Sequence, residues 1–253
     1  MSEQDSEQTG PEEAQNPDAE EGAPEQPKPP RRQLLVAEVV LSFGTILALS
    51  MVPEFSIGSG SVRLDHPLVL TAALIYLPFV PYAQRRISLS EMGLGSGKFA
   101  RSVKFAAITG LIIFPLFLLI WYLAGGLALG LPAPRPITSE FPYGAYAWAD
   151  LVARQFLGAA IPEEWFFRGY LQRRLQQLFP RRFGTGRWSI SAAALLTAWL
   201  FGLAHAARYG NILRMNVFLP GILFGWARER SDHLAAPILL HAASNLVLMA
   251  FVG

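Results

Sequence analysis

Seven long hydrophobic stretches, separated by shorter charged segments, run along the chain at residues 34–52, 67–83, 105–131, 147–172, 188–204, 212–226 and 234–252. A helix rises about 1.5 Å per residue, so about 17 to 25 apolar residues cross a bilayer core. The second and sixth stretches are the shortest, and Pro78 and Pro81 interrupt the second. In hydrocarbon a chain must satisfy its own backbone polar groups, which favours helices. The pattern predicts an all-α, polytopic transmembrane helical bundle of about seven spans.

Charge placement gives an independent reading, because cytoplasmic loops hold the excess of Arg and Lys. Arg31 and Arg32 precede the first stretch. Arg85, Arg86, Lys98, Arg101 and Lys104 follow the second, Arg173, Arg174, Arg181, Arg182 and Arg187 the fourth, and Arg228 and Arg230 the sixth. The alternate loops hold only Arg63, Arg135, Arg208 and Arg214. This alternation suits seven spans, with the amino terminus cytoplasmic and the carboxyl terminus outside. Trp121, Tyr122, Trp148 and Trp188 fall near span ends, where an amphipathic ring anchors at the interface. Gly126 with Gly130, and Gly221 with Gly225, have the spacing of close helix contacts.

Composition agrees with a lipid solvent: 52% hydrophobic residues, 16% charged and a mean hydropathy of +0.31. The net charge of +2 conceals a split. Residues 1–30 carry nine acids against Lys28, a net of −8, whereas residues 31–253 carry 20 bases against 10 acids. The first segment lacks aromatic and, Thr9 apart, β-branched residues, so it reads as a disordered acidic cytoplasmic tail. Its acidic start and lack of an apolar run before Leu34 do not suit a signal peptide. Residues 31–253 then form the membrane domain. Cysteine is absent, which excludes disulfides, thiolate metal sites and cysteine nucleophiles. The preference for Arg over Lys, with abundant Ala, Gly and Pro, suits a GC-rich bacterial genome.

The fourth stretch carries two adjacent carboxylates, Glu163 and Glu164, after Pro162. Acids inside a membrane span usually face the bundle interior and have a function, although ion pairing alone can account for them. Adjacent helical positions diverge by about 100°, so the two are expected to face different partners. Glu164 lies four residues before Arg168, the spacing of an intrahelical ion pair, which leaves Glu163 freer to act on a water. A proline here frees a carbonyl and bends the helix, as a cavity allows. Asp150 and Arg154, also four apart, read as a snorkelling pair near the outer end of this span.

Of the four histidines, His205 lies at the edge of the fifth stretch and His241 in the seventh, while His66 and His233 fall in predicted loops. His241 and Asn245 are four residues apart, on one helix face. Counting from the span ends, Glu163 and His241 lie ~15 Å and ~14 Å deep, whereas His205 lies ~25 Å from Trp188, about 10 Å too far.

Glu163-Glu164-x-x-x-Arg168, then Phe201-x-x-x-His205, then His241-x-x-x-Asn245, resembles the CPBP family of intramembrane proteases. That family includes CAAX prenyl endopeptidases of the Ras-converting type and bacterial bacteriocin-processing and immunity proteins. The resemblance covers about residues 145–250. It implies that Glu163 with His205 activates the attacking water, that His241 and Asn245 hold the oxyanion, and that Glu164 and Arg168 orient or brace the site. The family has been described both as metalloprotease and as glutamic protease. If zinc were bound, Glu163, His205 and His241 would be its ligands. The sequence has no His-Glu-x-x-His helix, and no acid lies between Glu164 and Glu229 to support the histidines, so a metal-free glutamic mechanism is expected.

The implied activity is endoproteolysis of a membrane-anchored peptide or protein. A bacterial relative would process a peptide precursor or, as in myxosortase-like members, a carboxyl-terminal sorting helix. The expected surroundings are membrane lipid in a bacterial inner membrane, with no nucleic-acid partner. Two other classes use the same residues differently: a non-proteolytic scaffold or immunity-type protein of this fold, and a proton-coupled transporter.

Overall fold

The structure, a computed structural model, describes residues 32–52, 56–57, 64–95, 97–123 and 145–251. These are built mainly of helix: α1 (Arg32–Met51), α2 (His66–Tyr76), α3 (Phe79–Ala83), α4 (Phe99–Ile120), α5 (residues 145–178), α6 (Ala192–Tyr209), α7 (Phe218–Ser231) and α8 (Ala235–Phe251). Two minimal antiparallel hairpins pair Ser56–Ile57 with Leu64–Asp65 and Arg182–Phe183 with Ile190–Ser191. Three helical runs are long and apolar enough to cross a membrane, at Arg32–Met51, His66–Ala83 and Ser90–Leu123, and Ala235–Ala250 is a shorter apolar helix. Leu41, Leu111 and Ile112 stand exposed on these runs, as lipid-facing side chains do. The acidic tail, Gly126 and Gly130 lie outside the described residues.

Helix α5 is the buried axis. Every residue from Trp165 to Leu171 is buried, against α1, α2, α6 and α7. Pro162 lacks the N–H that would continue the regular ladder, and the helix widens to π-helical turns at Arg154–Ala160 and Trp165–Leu171 on either side of Ile161–Glu164. The Gly221/Gly225 spacing is used as expected. A Cβ at Gly221 would sit 3.3 Å from the Ala198 Cβ, and one at Gly225 would sit 3.2 Å from the Ala194 Cβ. These glycines let α7 lie close on α6.

Several boundaries differ from the expected ones. The second apolar stretch breaks at Pro78 into α2 and α3. The fifth helix begins at Ala192 instead of Trp188, because Ser191 caps it by accepting from the Ala194 N–H at 3.0 Å and Trp188 lies in a preceding 3-10 turn. The sixth starts at Phe218, after the 3-10 segment Ile212–Val217, and continues through Arg228 to Ser231. His66 opens α2 instead of lying in a loop, and its Nε2 meets the Leu49 carbonyl at 2.8 Å.

Candidate active site

The two glutamates do diverge, but they serve one imidazole from opposite ends. Nδ1 of His241 lies 2.8 Å from Oε1 of Glu164, and Nε2 of His241 lies 3.8 Å from Oε2 of Glu163. A carboxylate only accepts, so Nδ1 of His241 carries the proton in its bond to ionised Glu164. His205 approaches from α6, with Nε2 3.9 Å from the same Glu163 oxygen. Its Nδ1 lies 3.0 Å from the Phe201 carbonyl, one turn earlier. A carbonyl also only accepts, so His205 presents Nε2 to Glu163 as a lone pair when neutral. Starting α6 at Ala192 removes four residues, about 6 Å, of the roughly 10 Å excess in the expected depth of His205.

Glu164 forms the predicted pair with Arg168, at 2.9 Å with both side chains fully buried. Arg168 also donates to the Gly221 carbonyl at 3.2 Å. Its guanidinium sits among three rings, 4.4 Å from the Phe201 centroid, 5.4 Å from Phe224 and 5.8 Å from Phe167. Ring faces attract a cation, and the planar guanidinium fits between them as an ammonium does not. Phe224 stacks on His241 with centroids 5.0 Å apart and planes within 13°. Arg168, Glu164, His241 and Phe224 thus form one braced unit behind Glu163.

Asn245 lies one turn beyond His241 on α8, and its Nδ2 donates to Oε1 of Gln155 at 2.9 Å. Gln155 was not anticipated, although an amide inside an otherwise apolar stretch was the signal that could have found it. Asp150 and Arg154 pair at 2.7 Å with exposed side chains.

The histidines do have supporting partners. Glu164 and the Phe201 carbonyl hold their Nδ1 atoms, so the expectation of a thin supporting shell, and the argument drawn from it against zinc, are corrected. The expectation failed because the supporting acid comes from α5, 77 positions away in sequence, and not from a neighbouring turn. The gathering of ligands is a separate question. Among the described residues no three His, Asp or Glu side chains are grouped so as to hold a metal ion.

Residues 146–247 match the family model described as type II CAAX prenyl endopeptidase Rce1-like. The chain is also 33% identical over 128 residues to an uncharacterized 24.3 kDa protein of Escherichia coli, an alignment covering 50% of this chain and 55% of that one. It therefore spans about half the length of the curated relative it matches. No solved structure matches the chain.

Proposed function

Through residues 146–247 this chain belongs to the Rce1-like type II CAAX prenyl endopeptidase family, and from that premise we propose that it is an intramembrane endopeptidase of the glutamic type. The observation that carries the reading is the convergence of His205 and His241 on one oxygen of Glu163, with Glu164 behind His241. Gaps of 3.8 and 3.9 Å exceed a direct hydrogen bond, so neither ring ties up this oxygen, and the nucleophile of this reading is a water held by Glu163 and His205.

In the proposed reaction Glu163 and His205 take a proton from that water as its oxygen attacks the scissile carbonyl carbon. The carbonyl electrons move to oxygen, where His241 Nε2–H and Asn245 Nδ2–H donate to the oxyanion. Since Nδ1 of His241 is engaged with Glu164, a second N–H at Nε2 makes the ring an imidazolium, a charge that the two flanking carboxylates stabilise. Collapse of the intermediate breaks the C–N bond, and the proton passes to the leaving amine. No step runs through a metal.

The substrate class we propose is a membrane-anchored peptide or protein. The seven predicted stretches, each carrying helix in its described part, and the alternating arginines support a seven-span chain in a bacterial inner membrane with its amino terminus cytoplasmic. Membrane and secreted proteomes of wild type and a Glu163→Ala strain provide the test. Precursors retaining an extra segment should accumulate in the variant. Identical proteomes, with unaltered cellular function, would instead favour a non-proteolytic role.

A further inference from the structure

An apolar groove of about 500 Å³ runs along the outer face between α4 and α7. Ile108 and Ile112 form one wall, Leu219 and Leu223 the other, and Trp188 and Trp226 bound the end nearer the α7 carboxyl terminus. The two indoles stack with centroids 6.1 Å apart and planes within 5°. Phe105 packs on Trp226 at 5.4 Å, and the Trp226 Nε1–H donates to the Arg187 carbonyl at 3.2 Å. This aromatic end is fixed to both helices and to the hairpin before α6.

Two arginines stand at that end. Arg187 lies over the Trp188 ring at 5.5 Å, and exposed Arg101 occupies the α4 face of Phe105 and Ile108, at spacings of four and seven residues. Of the neighbouring bases, Arg182 pairs with Glu229, Lys98 and Arg228 pair with Asp232, and Arg230 donates to Ser189, while exposed Lys104 stands beside Arg101 on α4. Neither Arg101 nor Arg187 has an ion-pair partner among the described residues. An apolar channel leading to an aromatic girdle and two uncommitted arginines is complementary to an anionic amphiphile.

We propose that this groove binds one anionic phospholipid, with an acyl chain between α4 and α7 and its phosphate at Arg101 and Arg187. An extended peptide laid in the groove would leave its N–H and C=O groups unpaired in hydrocarbon, and a free phosphate would use the arginines but not the walls. The site bears on the catalytic cluster through α7. Leu219, Ile222, Leu223 and Trp226 face the groove, while Gly221 and Phe224, on the opposite face, hold Arg168 and His241. A seated lipid thus braces the helix behind Glu163.

Native mass spectrometry of the detergent-purified full chain, with phosphatidylglycerol and phosphatidylcholine of matched acyl chains in competition, tests this. Wild type should retain one phosphatidylglycerol with a preference of roughly thirty-fold, the scale expected of two interfacial arginines. Arg101→Gln with Arg187→Gln should equalise the two lipids, and Ile112→Trp, which fills the groove, should release both. Arg181→Gln, on the same hairpin but packed on Phe183, should keep the preference, and inorganic phosphate should not displace the lipid. Equal retention by wild type would overturn the proposal. So would an undiminished preference in the double variant, an equal loss in Arg181→Gln, retention by Ile112→Trp or displacement by phosphate. Circular dichroism confirms that each variant is folded.

Discussion

His241 Nδ1 lies 2.8 Å from the Glu164 oxygen that also receives the Arg168 guanidinium. One fully buried carboxylate oxygen therefore holds a structural cation and a site histidine together. Glu163 has no such commitment, since its buried Oε2 has no hydrogen-bond partner among the described residues. If Glu163 is the base of the reaction, the adjacent acids divide into a brace and a reactive group.

That division predicts opposite phenotypes for two matched substitutions. Glu163→Gln should slow cleavage of a reconstituted peptide substrate by ~100-fold or more, the scale of a general-base contribution, and leave thermal stability nearly unchanged. Glu164→Gln should lower stability by ~3–5 kcal/mol, because it leaves Arg168 buried and uncompensated. Thermal unfolding and initial rates on both variants decide it. Equal destabilisation by the two substitutions would refute the division.

The Arg168 cage makes a separate prediction about lysine. Three rings and two directed hydrogen bonds match a planar guanidinium, whereas an ammonium has neither the fork nor the stacking face. Arg168→Lys, although it preserves charge, should lower the unfolding temperature clearly and weaken the positioning of His241. A Lys variant as stable and active as wild type would show that charge alone suffices.

Much of this architecture was legible along the chain because its signals are local. The apolar stretches need only composition, the Glu164–Arg168 pair needs only a four-residue spacing, and the Gly221/Gly225 contact needs only small residues one turn apart. The second bond of Glu164 was not legible, because it joins α5 to α8 and depends on the packing between them. The start of α6 was missed for a different reason. Trp188 is apolar enough to extend a hydropathy window, but Ser191 supplies the cap that begins the helix. Gln155 did leave a trace, as an amide in an apolar stretch, but its partner Asn245 lies 90 positions away.

Asn245 and Gln155 should separate by magnitude and by kinetic parameter. If the Asn245 amide donates to the oxyanion, Asn245→Ala should reduce kcat by ~100- to 1,000-fold with little change in KM. Gln155 acts only by fixing that amide, so Gln155→Ala should cost less, also in kcat, and Gln155→Glu, which keeps the accepting oxygen, should recover part of it. An effect of Gln155→Ala confined to KM would assign it to substrate binding instead.

Metal dependence is tested by removal. If Glu163, His205 and His241 act as proton and charge carriers, prolonged chelation should leave the cleavage rate of purified protein within about two-fold of the untreated rate, small beside the contribution of a general base. Added zinc should not raise it. Loss of activity on chelation, restored by zinc, would reassign the three side chains as ligands.

The turn between α7 and α8 predicts a pH dependence of stability distinct from that of catalysis. His233 is buried there, and its Nδ1 accepts the Ala235 N–H at 2.9 Å, which requires the neutral ring. Burial, followed by the Arg228 charge, lowers its pKa from the ordinary 6.5; Lys98 adds to the shift and Asp232 opposes it. A base with a depressed folded pKa is protonated preferentially in the unfolded chain. Its contribution is therefore full above 6.5 and declines as pH falls below that value towards the folded pKa. Asp232 adds a second loss only at lower pH: burial opposes ionisation, but its bonds to Lys98 and Arg228 hold it below its ordinary 3.8. The unfolding temperature in detergent should thus begin to fall as pH drops through 6.5. His233→Asn, whose amide oxygen can take over the acceptor role, should flatten that first decline and leave the acidic one in place. A profile unchanged by the substitution would assign the first decline to another group.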